Sequence, residues 1–188
     1  MTEKEIMLAG GMYDPMDKEL WEGRVRAHVL AAKLNSLPFD SFEERGAVIG
    51  ELLGGAGKNT TISEGFWCDF GSNIYVGDNF FCNFNCVMLD TNTITIGDNC
   101  MFGPNVTIST PTHPVQAAKR CNPEGREYSL PIKIGDFVWI GAGAVINPGV
   151  TIGDRAVIAS GSVVTKDVPA DCLAAGVPAV VKKKIDNG

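Results

Sequence analysis

The chain has 188 residues, which favours a single domain with a short addition and is enough to bury a sizeable core. Apolar residues make up 45% of the sequence and charged residues 20%, a balance that excludes general disorder. The formal net charge of −6 argues against nucleic acid or an anionic membrane surface as the main partner.

No segment of the sequence carries a membrane or secretory signal. The longest apolar-looking stretch, 137–153, has no charge but is broken by Asn147, Pro148 and several glycines, so it does not predict a transmembrane helix. The N-terminal MTEKEIML has acidic residues where a signal peptide has basic ones. None of the six cysteines forms a CxxC pair, and we interpret them as buried thiols. We therefore expect a cytoplasmic protein without a metal site.

Residues 1–57 predict a small helical cap. Within 17–35, apolar residues recur on one helical face, with charged residues opposite: Leu20, Ala27, Ala31 and Leu34. Ser41 followed by Glu44 has the spacing of a capping box, so a second helix is predicted to begin there and to end near Leu53. Four residues that include three glycines then end the helical pattern.

A six-residue repeat follows the cap. From Ile134 the sequence divides into IGDFVW, IGAGAV, INPGVT, IGDRAV, IASGSV and VTKDVP, and the same register begins earlier at Val76 and Ile96. This period fits neither a 3.6-residue helix nor a two-residue strand alternation. It predicts a solenoid with three flat faces of six residues each, in which the apolar column of one coil packs on the next. Glycine and asparagine are expected at the corners, where the backbone needs unusual angles.

The repeat is interrupted once, next to a histidine. The Gly-Asp steps after Ile96 and Ile134 are 38 residues apart, which is one 18-residue coil plus a 20-residue excursion, 114–133. His113 lies in STPTHP, where the excursion leaves the regular coil. Functional residues concentrate at such places, and histidine is the common general base near neutral pH, although His113 could also merely close the turn before Pro114. The only other histidine, His28, is interpreted as an ordinary residue of the amphipathic helix.

Several longer segments match a known family nearly end to end. They are MLAGGMYDP (7–15), CDFGSNI (68–74), FFCNFNCVMLD (80–90), TIGDNCMFGPNVTI (95–108), THP (112–114), LPIKIGDFVWIGAGAVINPGVTIGD (130–154), GSVVTKDVP (161–169) and AAGVPA (174–179). With these segments the chain resembles the maltose and galactoside O-acetyltransferases within the hexapeptide acyltransferases. The resemblance implies a mainly β fold, a left-handed parallel β-helix over 58–180 with the helical cap 1–57, the extruded loop 114–133 and a basic C-terminal tail, 181–188.

The resemblance also implies the reaction. Members of this family transfer acetyl from acetyl-CoA to a sugar hydroxyl, in a homotrimer with active sites between neighbouring β-helices. His113 would be the general base in a direct transfer, without a covalent acyl-enzyme and without a metal. A maltose-like or glucose-like acceptor is favoured, because an acidic acceptor position of the galactoside enzymes is Thr91 here. The groups that stabilise the tetrahedral oxyanion are left open.

Further site residues come from alignment to the family. Asp14, Asp69 and Asn83 fall at acceptor positions, where acidic and amide side chains can hold sugar hydroxyls. Each could instead be a turn or cap residue, most of all Asp14 before Pro15, and Asn83 is the best of the three candidates. Five further positions fall where the family places coenzyme A: Ala142, Ser160, Thr165, Lys166 and Lys183. Trp139 is placed with them because it could line the pantetheine arm, although it could also line the groove near His113 or simply be buried. Small side chains let the pantetheine arm approach the backbone, and a lysine can meet phosphate. Galactoside enzymes carry an arginine where this chain has Val180, so one phosphate contact could be absent.

Other functions remain open alternatives. The same chemistry could act on a galactoside, an oligosaccharide or the amine of an amino sugar. A zinc-dependent β-helix that hydrates carbon dioxide needs three histidine ligands, and only His113 is predicted to lie on the coils. A β-helix without catalysis, acting as a binding module, is disfavoured by the position of His113 in THP.

Overall fold

A computed structural model describes residues 1–121 and 126–187, most of which form a solenoid of three parallel sheets. Sheet 1 contains β1 (Gly55–Ala56), β4 (Ile74–Val76), β7 (Ile94–Ile96), β12 (Ile132–Ile134) and β15 (Thr151–Ile152). Sheet 2 contains β2 (Thr61–Ile62), β5 (Phe81–Cys82), β8 (Met101–Phe102), β13 (Trp139–Ile140), β16 (Val157–Ile158), β18 (Cys172–Gly176) and β19 (Ala179–Lys184). Sheet 3 contains β3 (Trp67–Cys68), β6 (Val87–Leu89), β9 (Thr107–Ser109), β14 (Val145–Ile146) and β17 (Val163–Val164). The chain visits the three sheets in rotation, which confirms the predicted β-helix.

The hexads set the register and the core. Phe81 on β5 pairs with Met101, Met101 with Trp139, and Trp139 with Val157, so successive coils differ by 20, 38 and 18 residues as the Gly-Asp steps predict. The first residue of each late hexad is at most 3% exposed: Ile134, Ile140, Ile146, Ile152, Ile158 and Val164. These side chains stack along the axis and form a continuous apolar core inside the prism.

Asparagine holds the corner between sheets 1 and 2. Asn59, Asn79 and Asn99 have φ of 57°, 57° and 56°, in the left-handed region where asparagine is tolerated better than most residues. The amide of each donates to the next, with Nδ2 to Oδ1 distances of 2.9 Å from Asn59 to Asn79 and from Asn79 to Asn99. The turn conformation and the contact between coils therefore come from the same residue type.

The cap consists of α1 (Glu3–Leu8), α2 (Lys18–Ser36) and α3 (Phe42–Leu52). The second and third helices occupy the segments predicted to be helical, whereas α1 was not predicted. Ser41 precedes α3 without a side-chain cap hydrogen bond, so the capping box expected there is not formed. The capping box lies at α1 instead, between Thr2 and Glu5. The solenoid already begins at β1, which pairs with β4.

A buried cation joins the cap to the first coil. Arg45 on α3 is 5% exposed and donates to the carbonyl oxygens of Leu34, Leu37 and Ile62 at 3.1, 3.0 and 2.6 Å. Three charge-assisted hydrogen bonds fasten α3 to the end of α2 and to β2. The helices therefore cover the open end of the β-helix as one unit.

The corner between sheets 3 and 1, which we call the 3–1 corner, is irregular in the first three coils, where it comprises 69–73, 90–93 and 110–131. The third of these segments, described at 110–121 and 126–131, contains the predicted excursion except for its last two residues, 132–133, which already belong to β12. The base of the excursion is an antiparallel ladder of β10 (Pro111–Thr112) and β11 (Tyr128–Ser129), and α4 (Ala117–Arg120) lies beyond. The lysines expected in a C-terminal tail lie on β19, which pairs antiparallel with β18 at the edge of sheet 2.

Candidate active site

The 3–1 corner of the first three coils collects polar residues from different coils. Asp69 follows β3, Asp90 follows β6, and His113 follows β9 and β10, so all three residues lie at the same edge of sheet 3. Parallel pairing of β3, β6 and β9 places these three corners next to one another. Residues far apart in the chain are thereby collected at one edge of sheet 3.

His113 has a carboxylate beside its ring. Its Nε2 lies 3.4 Å from Oε2 of Glu127, which returns from the excursion next to β11. The histidine side chain is 49% exposed and the glutamate side chain 15%, so the imidazole can reach a substrate while its partner is largely shielded. A carboxylate in this place can orient an imidazole and stabilise the imidazolium that forms when it accepts a proton.

Glu127 is held in turn by the cap. The Tyr13 hydroxyl donates to Oε1 of Glu127, and the two backbones form an antiparallel bridge with N to O distances of 3.0 and 3.3 Å. Burial, followed by the hydrogen bond and charge of Glu127, raises the pKa of Tyr13, so the phenol stays a neutral donor. Tyr13 and Glu127 were not among the predicted site residues. The MYDP segment and the return strand of the excursion were their only sequence signals.

Asp69 carries an unusual carboxyl group. Burial, and next the charge of Asp90, raises the pKa of Asp69 to about 6, although Arg24 opposes the shift. Asp90 is fully buried and accepts backbone N–H groups of Phe70 and Asn73 at 2.8 and 3.2 Å. Burial raises the pKa of Asp90 too, while these N–H donors counteract it. Asp69 is therefore the partly accessible carboxyl, and Asp90 shapes the corner beneath it.

A second group of predicted residues lies at the corner between sheets 2 and 3, which we call the 2–3 corner (83–86, 141–144 and 159–162 in the coils concerned). Asn83 follows β5, and its Oδ1 accepts the N–H of Phe84 at 2.8 Å. Ala142 and Ser160 follow β13 and β16 at the same corner of later coils. A Cβ built on the neighbouring Gly143 or Gly161 would meet no atom within 4 Å, so this corner offers a smooth, open strip of backbone.

The other predicted residues are dispersed. Trp139 is 51% exposed on the outer face of sheet 2, and Lys183 lies on β19 opposite Leu173 of the same sheet. Thr165 and Lys166 follow β17 at the 3–1 corner, and both are exposed. The side chain of Asp14 accepts the N–H of Met16 at 2.8 Å, which makes it a turn residue in the isolated chain.

A single chain does not bring these groups together. His113 and Asp69 lie at one edge of sheet 3, whereas Asn83, Ala142 and Ser160 lie at its other edge. In the coil that contains Asn83, the three residues of β6 separate the corner at 83–86 from the corner at 90–93, roughly 10 Å at 3.3 Å per residue. Either the residues at the two edges of sheet 3 bind different ligands, or a second chain completes the site.

The described residues lack two features of other functional classes, a metal-binding cluster and a membrane-spanning helix. Among residues 1–121 and 126–187, no group of three His, Cys, Asp or Glu side chains is arranged to hold a metal ion. Within the same ranges, no helix is long and apolar enough to cross a membrane.

Comparisons with known proteins identify the family. The family model for the maltose acetyltransferase hexapeptide capping motif matches residues 6–57, that for the bacterial transferase hexapeptide matches 131–166, and that for the hexapeptide repeat of succinyl-transferase matches 93–112. Galactoside O-acetyltransferase of Escherichia coli (strain K12) is 44% identical over 187 residues, which cover 100% of this chain and 90% of that protein.

Solved structures agree. The crystal structure of a maltose O-acetyltransferase from Clostridium difficile 630 is 46% identical with a TM-score of 0.96, covering 100% of this chain and 99% of the other. A galactoside acetyltransferase in complex with coenzyme A is 43% identical with a TM-score of 0.94, covering 100% and 92%. The chain belongs to the maltose and galactoside O-acetyltransferase family of hexapeptide-repeat acyltransferases, and it is a sugar O-acetyltransferase that uses acetyl-CoA.

Proposed function

We propose that the protein acetylates a hydroxyl of a maltose-like or glucose-like sugar by direct transfer from acetyl-CoA, with His113 as the general base. The observation that carries this proposal is the half-exposed imidazole of His113 held 3.4 Å from a shielded carboxylate at the irregular corner of the solenoid. The similarity to a maltose O-acetyltransferase over the whole chain supports the choice of acceptor.

The reaction needs one proton transfer in each direction. A sugar hydroxyl is a weak nucleophile at neutral pH, so His113 removes its proton as the oxygen attacks the thioester carbonyl. The tetrahedral intermediate collapses with formation of the ester C–O bond and cleavage of the C–S bond. The coenzyme A thiolate leaves and takes the proton back from the imidazolium, which Glu127 stabilises meanwhile. No cysteine takes part, and five of the six are buried in the structure.

Asp69 supplies an acceptor contact on the His113 side. Its carboxyl is partly accessible at the same corner, and a carboxyl can accept hydrogen bonds from sugar hydroxyls. Thr91, at the position where galactoside enzymes carry an acidic residue, is 3% exposed, and its hydroxyl lies 3.1 Å from that of Thr110. This neutral, internally bonded group favours a glucose-like over a galactoside acceptor. Asp14 is proposed for the acceptor side through Oδ2, since Oδ1 accepts the N–H of Met16 in the turn.

Coenzyme A is proposed to bind along the late coils. Ala142 and Ser160 border the open backbone strip of the 2–3 corner, where a pantetheine arm can approach closely. Trp139 presents its ring on the adjacent outer face of sheet 2. At the C-terminal end of the solenoid, the hydroxyl of Thr165 and the ammonium groups of Lys166 and Lys183 can donate hydrogen bonds to the phosphate groups of coenzyme A. Val180 is exposed and apolar, so it offers no phosphate contact.

We further propose a homotrimer in which each active site lies between two chains. The two groups of candidate residues occupy opposite edges of sheet 3, so a neighbour that packs against this sheet would place its Asn83 edge beside the His113 edge. Cyclic symmetry repeats the same contact at each interface. Free, mostly buried cysteines fit a reducing compartment, and we place the enzyme in the cytoplasm.

The first test measures coenzyme A thiol release from acetyl-CoA with a panel of glucose, maltose, galactosides and glucosamine. We expect sugar-dependent release that is highest for glucose or maltose and falls by about a hundredfold or more in His113→Ala. His28→Gln, which changes the only other histidine, is the matched control. Activity that survives in His113→Ala would refute the mechanism, and a preference for glucosamine would move the acceptor to an amine.

A second test addresses the shared site. His113→Ala and Asn83→Ala chains, each nearly inactive alone, are mixed in equal amounts, unfolded and refolded together. If one chain supplies His113 and its neighbour Asn83, about a quarter of the sites receive both intact residues and activity returns to roughly that level. Mixtures as inactive as either variant alone would contradict the shared site.

A further inference from the structure

We propose that Tyr13 of the N-terminal cap is a positioning residue for acetyl transfer, because its hydroxyl holds the Glu127 carboxylate against His113. This inference rests on the proposed role of His113 as the base. It makes the cap part of the active site as well as the cover of the solenoid.

The geometry gives each carboxylate oxygen of Glu127 its own partner. Oε1 accepts the hydrogen bond from the Tyr13 hydroxyl, and Oε2 lies 3.4 Å from Nε2 of His113. A carboxylate fixed at one oxygen cannot rotate freely about its terminal bond, so the other oxygen stays beside the imidazole. The Glu127 side chain is 15% exposed, and without Tyr13 water would compete for the vacated oxygen.

Tyr13 is itself rigidly placed. The side chain has 0% exposure, and its backbone pairs with that of Glu127 through two hydrogen bonds. The side chain of Asn92, in the 3–1 corner, donates from Nδ2 to the carbonyl oxygens of Met7 and Ser129 at 3.1 and 3.3 Å. These bonds tie the N-terminal segment to the return strand of the excursion. The contacts therefore run from the cap, through Tyr13 and Glu127, to His113.

A purely packing role for Tyr13 would need only its ring. Tyr13, Met7, Leu20 and Phe70 form a small apolar cluster, which a phenylalanine at position 13 would preserve. The hydroxyl is the atom that reaches Glu127, so removing it separates packing from positioning. Burial keeps the phenol protonated across the working pH range, so it remains a donor.

The experiment is a double-mutant cycle on the full chain with Tyr13→Phe, Glu127→Gln and their combination. We expect Tyr13→Phe to lower kcat about tenfold, the size typical of losing a hydrogen bond to a charged group, with both KM values within about twofold. In the Glu127→Gln background the same change is expected to cost less than about twofold, because the carboxylate that it positions is gone. Tyr75→Phe, an exposed tyrosine on sheet 1, is the matched control.

A readout besides activity uses the two histidines of the chain. Their ring resonances can be assigned with His113→Ala, and we expect Tyr13→Phe to move the His113 signals towards those of Glu127→Gln while His28 stays unchanged. Unchanged His113 signals, an unchanged kcat in Tyr13→Phe, or equal costs in both backgrounds would overturn the inference. Loss of the proposed function gives a different pattern, since His113→Ala would then remain active whatever Tyr13 does.

Discussion

Replacing Asp69 by asparagine should stabilise the protein at neutral pH although Asp69 is a candidate acceptor residue. Burial and Asp90 raise the pKa of Asp69 from 3.8 to about 6. A shift of about two units corresponds to roughly 3 kcal/mol at 1.36 kcal/mol per unit, which we reduce to about 2 kcal/mol because the side chain keeps some contact with solvent. The ionised carboxylate therefore destabilises the fold by about that amount.

The pH dependence has a definite sign. The unfolded chain releases the Asp69 proton near pH 4, whereas the folded chain keeps it to about pH 6. Between these values the folded state binds more protons, so its stability falls as the pH rises. The penalty is complete above about pH 6 and absent below pH 4. Asparagine cannot ionise, so the gain from Asp69→Asn should grow from near zero at pH 4 to about 2 kcal/mol at pH 8.

The assay is urea unfolding at pH 4 and pH 8 with the chain concentration held constant, because an oligomer's apparent stability depends on it. Asp40→Asn, at an exposed carboxylate between α2 and α3, removes the same charge and should show little gain at either pH. A gain from Asp69→Asn that is equal at both pH values, or a loss at pH 8, would refute the reasoning. If Asp69→Asn also binds the acceptor more weakly, the carboxylate of Asp69 contributes to acceptor binding while it lowers the stability of the fold.

Three further predictions concern the scaffold and can be checked by unfolding experiments. Arg45→Met should destabilise the fold by about 3 kcal/mol, because two buried carbonyl oxygens and one partly buried carbonyl oxygen lose their donor. A loss of stability under 1 kcal/mol would contradict this prediction. Gly97→Ala should lower the free energy of unfolding by at least about 2 kcal/mol, since the new Cβ would lie 2.8 Å from the Gly135 backbone. Gly46→Ala on α3 has open space around the new Cβ and should raise the free energy of unfolding by up to about 1 kcal/mol. Asp98→Asn keeps the oxygen that accepts the Asp78 N–H but relieves repulsion along the stacked aspartates, so it should stabilise at low salt and be neutral in 1 M salt.

The repeat predicted the scaffold well because the residue types within each hexad indicate which position is buried and where the corner lies. In the late coils a buried Ile or Val recurs every six residues, and this period indicates a short flat face followed by a corner. The coil lengths of 20, 38 and 18 residues also follow from the positions of the Gly-Asp steps, and the strand register agrees.

Predictions that depended on one side chain reaching another were less secure. Ser41 has the spacing of a capping box, yet the hydrogen bond forms between Thr2 and Glu5 on a short helix that has no apolar periodicity of its own. Glu127 and Tyr13 went unnoticed because they are 114 residues apart, and neither belongs to a repeat. Their contact exists only because the excursion folds back as an antiparallel ladder under the cap.

The sequence by itself therefore determined the β-helix, its helical cap, the place where the coil is interrupted and the histidine at that place. These features follow from periodicity and composition within segments of about six to twenty residues. Only the tertiary structure decided that Glu127 lies beside His113, that Tyr13 holds Glu127, and that Asn83 and His113 stand at opposite edges of one sheet. Such contacts depend on how successive coils stack and on where the excursion returns. A short-range sequence pattern does not determine which distant residues then lie close together.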